Sequence, residues 1–187
     1  IREFAESMFH PEDLVSSSFT KERAQLGMHY HKLRQQNRGS AYKSEVALEY
    51  TYETKSSRFV LSGRMDGLIE DEYSCIVEEV KTTYRNVDEI AEPSSAHLAQ
   101  AKCYAFIFFF FYALPAIGVQ MTYCNLDTEE IRRFQMHYSY DEIEAWFLEL
   151  IASYRRWSDF LFHHKMIRQQ SIRGLEFPYA YRQGQKK

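Results

Sequence analysis

Between Pro93 and Pro115 the chain carries a helical run without a polar side. Pro93-Ser94-Ser95 opens it, Phe106-Ile107-Phe108-Phe109-Phe110-Phe111-Tyr112 fills its second half, and Pro115 marks its end after Leu114. A helix that is apolar all round is buried in a core, so the remaining chain has to enclose this one. A membrane-spanning reading fails on length. Spanning needs about 20 apolar residues, and this run meets Lys102 on one side and Pro115 on the other.

Strand patterns lie on both sides of that helix. Val46, Leu48, Tyr50 and Tyr52 alternate with Ala47, Glu49 and Thr51, which predicts a strand over 45–54. Residues 59–69 and 74–82 read as two further strands, joined through the acidic hairpin turn Glu70-Asp71-Glu72. After the helix, Val119–Cys124 and Ile131–Tyr138 read as two more. Ser139-Tyr140-Asp141-Glu142 has capping-box spacing and starts a long amphipathic helix. Its apolar positions Phe147, Leu150, Ile151, Tyr154, Trp157 and Leu161 keep the helical period. Near the start, a helix is predicted over about 21–36, stopped by the turn residues Asn37-Arg38-Gly39-Ser40.

With 187 residues, 45% hydrophobic and 16% aromatic, the chain has material for one sizeable core. Its net charge of −3 is not that of a general nucleic-acid binder, but the charge is unevenly spread. From Arg155 onward, Arg155, Arg156, Lys165, Arg168, Arg173, Arg182, Lys186 and Lys187 face only Asp159 and Glu176. Such a stretch either follows a phosphate backbone or forms a solvated helix face. Cys75, Cys103 and Cys124 share no metal-ligand spacing and leave an odd thiol, which fits a reduced, cytoplasmic setting. Ile1-Arg2-Glu3-Phe4 shows neither an initiating Met nor a signal peptide, as expected after a trimmed tag or short truncation.

The chemistry gathers around the central hairpin. Gly63-Arg64-Met65-Asp66-Gly67 puts Asp66 on one strand, and Glu79-Val80-Lys81 lies on the next. Side chains alternate along a strand, so Glu79 and Lys81 share a face and Glu78 lies on the other. Two strands thus offer one carboxylate each, with the Val80 carbonyl between Glu79 and Lys81. Hard oxygen donors of this kind suit Mg²⁺ or Mn²⁺. An Asp, a Glu and a Lys at one sheet edge can hold such an ion and activate a water. Each residue also has a plain reading. Asp66 could be a strand-end turn residue, Glu79 and Lys81 a surface ion pair, and Gln100 and Tyr104 a packing pair one turn apart.

Taken in order, the string Gly27-x-x-x-His31, Asp66, Glu79-x-Lys81 and Gln100-x-x-x-Tyr104 resembles the PD-(D/E)XK nuclease superfamily in its RecB-like branch. The likeness covers about residues 20–125. It implies an α/β, restriction-endonuclease-like fold with a central mixed β-sheet flanked by α-helices, spanning residues 1–175. The implied activity is Mg²⁺- or Mn²⁺-dependent hydrolysis of DNA phosphodiesters, as an exonuclease, in repair or processing. Asp66, Glu79, the Val80 carbonyl and His31 would bind one or two ions. Lys81 would orient the attacking water, and Gln100 and Tyr104 would position it or the DNA. Only the Gly27 spacing chooses His31 over His29. Arg64 and Lys102 are candidate contacts to DNA. Three cysteines cannot build the four-cysteine iron–sulfur cluster of some RecB-like nucleases.

The last residues, Phe177-Pro178-Tyr179-Ala180-Tyr181-Arg182-Gln183-Gly184-Gln185, look like the adenine-recognising Q motif that opens helicases of the DinG type. The resemblance implies that 176–187 is a linker and the start of a covalently attached helicase. A catalytically weak clamp holding DNA for that helicase is the alternative to a nuclease.

Overall fold

The computed structural model describes residues 1–9, 41–54, 57–70, 75–112, 114 and 116–175. The helix expected over 21–36, with Gly27, His29 and His31, lies outside them, as does the segment 176–187. Element order is α1 (Arg2–Phe9), β1 (Tyr42–Glu53), β2 (Arg58–Glu70), β3 (Cys75–Thr83), a 3-10 turn (Val87–Glu89), α2 (Ser95–Tyr112), β4 (Ala116–Asn125), β5 (Ile131–Ser139) and α3 (Tyr140–Ile172). The fold is α/β. Its five strands form one mixed sheet in the order β1-β2-β3-β4-β5. β1, β2 and β3 form an antiparallel meander, α2 crosses over to place β4 parallel to β3, and β5 returns antiparallel.

The chain divides into two units, Ile1–Leu148 and Glu149–Lys187. In the first, α2 packs on β1, β3 and β4, and α1 packs on α2. Cys103 through Phe109 are all buried, which is how the sheet accommodates a helix with no polar side. Met65, Leu68, Val77, Val119 and Met121 supply the opposing layer. Aromatic rings lock the assembly. Phe106 stacks on Phe147 with centroids 4.0 Å apart, and Tyr50 meets both edge-on at 5.4 and 5.8 Å. At its C-terminal end the helix emerges from the core, leaving Phe110, Phe111 and Tyr112 exposed. Among the described residues no helix is long and apolar enough to cross a membrane.

The capping box forms as its spacing predicts. The Ser139 amide and hydroxyl donate to Glu142 Oε2 at 2.8 and 2.9 Å, and the Glu142 amide donates back to Ser139 Oγ at 3.4 Å. These bonds hold the Glu142 carboxyl below its ordinary range. The apolar period of α3 outlasts its burial. Phe147, Leu150 and Ile151 are buried, but Trp157 and Leu161 are exposed.

Gly67 serves close packing rather than a turn. A Cβ there would overlap the Tyr42 hydroxyl, which donates to the Asp66 carbonyl at 3.4 Å. Overpacking at such a point costs about 1–3 kcal/mol. Gly67→Ala is therefore expected to lower unfolding free energy by that amount in urea melts. Adding Tyr42→Ala should give a loss smaller than the sum of the two single changes, because the second removes what the first collides with.

Candidate active site

β2 and β3 pair over a short stretch, Gly67–Glu70 against Cys75–Glu78. From Glu79 onward β3 continues along β4, while β2 from Met65 back to Arg58 continues along β1. The site lies where the two strands part. At that point the Asp66 side chain replaces a backbone acceptor: its Oδ2 accepts the Val80 amide at 2.8 Å. The N–H and C=O of a strand residue project to the same side, so the Val80 carbonyl also faces the β2 side. Opposite Asp66 on β1, Glu45 takes a left-handed backbone (φ 57°), which is costly for a residue with a side chain.

Glu79 is buried, and Lys81 Nζ donates to its Oε1 at 2.7 Å. The same ammonium donates to Gln100 Oε1 at 3.0 Å. Lys81 thus ties β3 to the first turns of α2. One turn further on, burial and the Glu79 charge push the Tyr104 hydroxyl up to about 12, offset in part by hydrogen bonds from Gln100 and the Arg64 backbone. Tyr104 therefore stays protonated at neutral pH and can donate. Gly63 makes room for it, since a Cβ there would come within 2.7 Å of the Tyr104 oxygen. Asp66, Glu79, Lys81, Gln100 and Tyr104 are in this way brought together from two strands and a helix.

The electrostatics are those of a site short of positive charge. Burial first, and then the Asp66 carboxylate, push the Glu79 carboxyl up to about 8, against the pull of Lys81 and Arg2. Glu79 Oε2 is buried and has no hydrogen-bond partner among the described residues. An orphaned carboxylate oxygen beside a second carboxylate fits a divalent cation, and Mg²⁺ commonly takes one or two carboxylates together with waters and substrate phosphate. Among the described residues no three His, Cys, Asp or Glu side chains cluster as a metal-binding group. The described donors are thus two carboxylates and the Val80 carbonyl, and His31 lies outside the described residues.

Other expected contacts are placed differently. Arg64 is exposed and pairs with Glu45 Oε2 at 2.9 Å. Lys102 turns away from the carboxylates: its ammonium sits 4.1 Å from the Trp146 ring centroid and 4.8 Å from that of Tyr138. Burial lowers its pKa. It is two steps along α2 from Gln100, and a helix turns each successive side chain by about 100°. Glu78 joins a separate buried network on the other face, accepting from Thr122 Oγ1 at 2.6 Å and Gln120 Nε2 at 2.8 Å. Cys75 and Cys103 are buried with thiols pushed up to about 12, which marks them as packing residues. Arg2 was not legible as a site residue. It is hydrogen-bonded to Glu6 at 2.7 Å, and its charge reaches both Glu79 and Asp66. A lone Arg in a short helix carries no motif that could have found it.

No family model matches the chain, and no curated protein matches it. Among solved structures, the crystal structure of SSO0001 is similar to it at 19% sequence identity and a TM-score of 0.48, covering 81% of this chain and 69% of that one.

The Glu79 shift sets a pH dependence. Its carboxyl binds a proton more tightly folded than unfolded, because the folded value of about 8 stands above the ordinary 4.5. Without metal, stability is therefore greatest below the unfolded value, falls as pH rises toward 8 and then levels off. The loss should be on the order of a few kcal/mol. Thermal melts in EDTA between those limits are expected to show it, and Glu79→Gln is expected to flatten the slope. Equal slopes in the two proteins would mean that Glu79 is not the titrating group.

Proposed function

We propose that this chain is a metal-dependent DNA nuclease of the PD-(D/E)XK superfamily, RecB-like branch. In this reading it hydrolyses phosphodiester bonds as an exonuclease in DNA repair or processing, joined to a helicase. The observation that carries the reading is the Lys81 ammonium, shared between Glu79 and Gln100 beside Asp66. A surface ion pair needs no such arrangement. Here Glu79 is buried and Lys81 partly so, and the pair is linked to a second strand's carboxylate through Val80 and fixed from α2.

Asp66, Glu79 and the Val80 carbonyl would hold Mg²⁺ or Mn²⁺, with His31 completing the set that the resemblance implies. The bound ion supplies Lewis-acid polarisation of the phosphate and makes water a better nucleophile at neutral pH. The chain's own residues do the rest. Asp66, anchored by the Val80 amide, keeps one carboxylate fixed at the mouth between β2 and β3. Lys81 presents positive charge to the phosphate as its negative charge grows in the transition state, and Gln100 holds it there before substrate arrives. Tyr104, protonated, donates a hydrogen bond to the nucleophile or to a phosphate oxygen. Arg64 reaches a phosphate by giving up an exposed pair with Glu45, which costs little.

The test is cleavage of end-labelled single-stranded and duplex DNA with Mn²⁺, Mg²⁺ or EDTA. Cleavage is expected with either metal and not in EDTA. Asp66→Ala, Glu79→Ala and Lys81→Ala should each lower the rate by about 10²-fold or more, with circular dichroism unchanged. Gly63→Ala, which crowds Tyr104, should lower the rate without abolishing it. Metal-dependent cleavage that survives all three alanine changes would overturn the assignment. DNA binding without any cleavage would favour a clamp.

A further inference from the structure

The C-terminal part of α3 carries apolar and cationic side chains that the first unit's chemistry does not use. Trp157, Phe160, Phe162 and Ile167 are 47%, 65%, 62% and 65% exposed, and Leu161, Met166 and Ile172 are exposed with them. Between residues 150 and 175 stand five basic residues, Arg155, Arg156, Lys165, Arg168 and Arg173, and one acidic residue, Asp159. Asp159 is taken by Arg155 at 3.7 Å. Among the described residues, Lys165, Arg168 and Arg173 enter no salt bridge.

The arrangement matters more than the count. At 100° per residue, Trp157, Phe160, Leu161, His164, Ile167 and Arg168 share one side of the helix. Phe162 and Met166 share another, and Arg173 follows the end of the helix. The Phe160 ring lies beside that of His164, with centroids 6.2 Å apart and 27° between the planes. Rings and cations therefore interleave around this helix. A helix that lies on a membrane needs them separated, with apolar side chains on one face and cations on the other. A second copy of the same segment would bring like charges together. A polyanion with exposed aromatic faces suits both features, because the phosphates meet the cations and the bases stack on the rings. Bases of a duplex are already stacked on each other, so the complementary ligand is single-stranded.

We propose that Trp157–Arg168 is a binding surface for single-stranded nucleic acid, with bases on Trp157 and Phe160 and phosphates on Lys165 and Arg168. The surface is formed within the second unit and does not depend on Asp66, Glu79 or Lys81. At about 1.5 Å per residue the segment is about 16 Å long, enough for a few nucleotides.

The experiment uses the full chain in EDTA, so that no cleavage competes. A fluorescein-labelled oligothymidine of roughly 20 nucleotides, longer than the usual site sizes, is titrated by anisotropy at several salt concentrations. Binding is expected to exceed that of a duplex of equal length and to quench tryptophan fluorescence, with the quenching lost in Trp157→Phe. Trp157→Ala with Phe160→Ala is expected to weaken binding by about 10-fold or more. Lys165→Gln with Arg168→Gln is expected to reduce the slope of log affinity against log salt by about 0.7 per cation. These residues are exposed, so circular dichroism should not change. Affinity unaffected by both pairs, tighter binding to the duplex, or binding to phosphatidylglycerol vesicles in place of the oligonucleotide would each overturn the proposal. Asp66→Ala separates the two sites: unchanged oligonucleotide affinity supports this surface whether or not the chain cleaves DNA, and affinity lost with Asp66 overturns it.

Discussion

Everything in the first unit follows from enclosing α2. A helix whose buried side chains run continuously from Cys103 to Phe109 cannot lie on a surface, so the sheet must cover one side and further rings the others. Phe147 and Tyr50 close around Phe106 for this reason. The same packing fixes the beginning of the helix, where Gln100 and Tyr104 meet β2 and β3. Polar precision at one end is thus a product of apolar packing at the other. Lys81 gains from this because its second partner, Gln100, sits on a rigid element rather than on a loop.

The balance of charge in the site explains its local geometry. The buried Glu79 carboxyl feels the charge of Asp66, and burial rather than repulsion is the larger cause of its shift. One lysine and the more distant Arg2 do not fully offset that cost, and one carboxylate oxygen remains without a donor among the described residues. Native interiors rarely leave such an atom unsatisfied without a reason. Tyr104 responds to the same field, since a hydroxyl beside Glu79 holds its proton more firmly.

Much of the fold could be read in the sequence because its signals are local. Alternation gave the first strand and apolar runs the others, prolines bracketed α2, and the Ser139–Glu142 pair formed the cap that its spacing announced. The face shared by Glu79 and Lys81, and the opposite placement of Glu78, followed from strand pleating alone. What depended on distant partners could not be read. Gln120 and Thr122, which bind Glu78, lie more than 40 residues away. Lys102 looked like a phosphate contact because its cation–π shelf comes from Tyr138 and Trp146, beyond any local pattern. The period of α3 showed which residues align along it, and not that burial would stop after Ile151 while Trp157 stays in water. Nor did any pattern mark Arg2.

The Asp66 carboxylate occupies the place of a backbone carbonyl in the ladder to β3. Its position is therefore inherited from the sheet and not from a rotamer choice of its own. Substitution here confounds two quantities, charge and strand pairing, that are separable in most acidic residues. An asparagine keeps an oxygen for the Val80 amide while discarding the charge, whereas an alanine discards both. The difference between those two replacements measures how far this fold has made one side chain part of its skeleton.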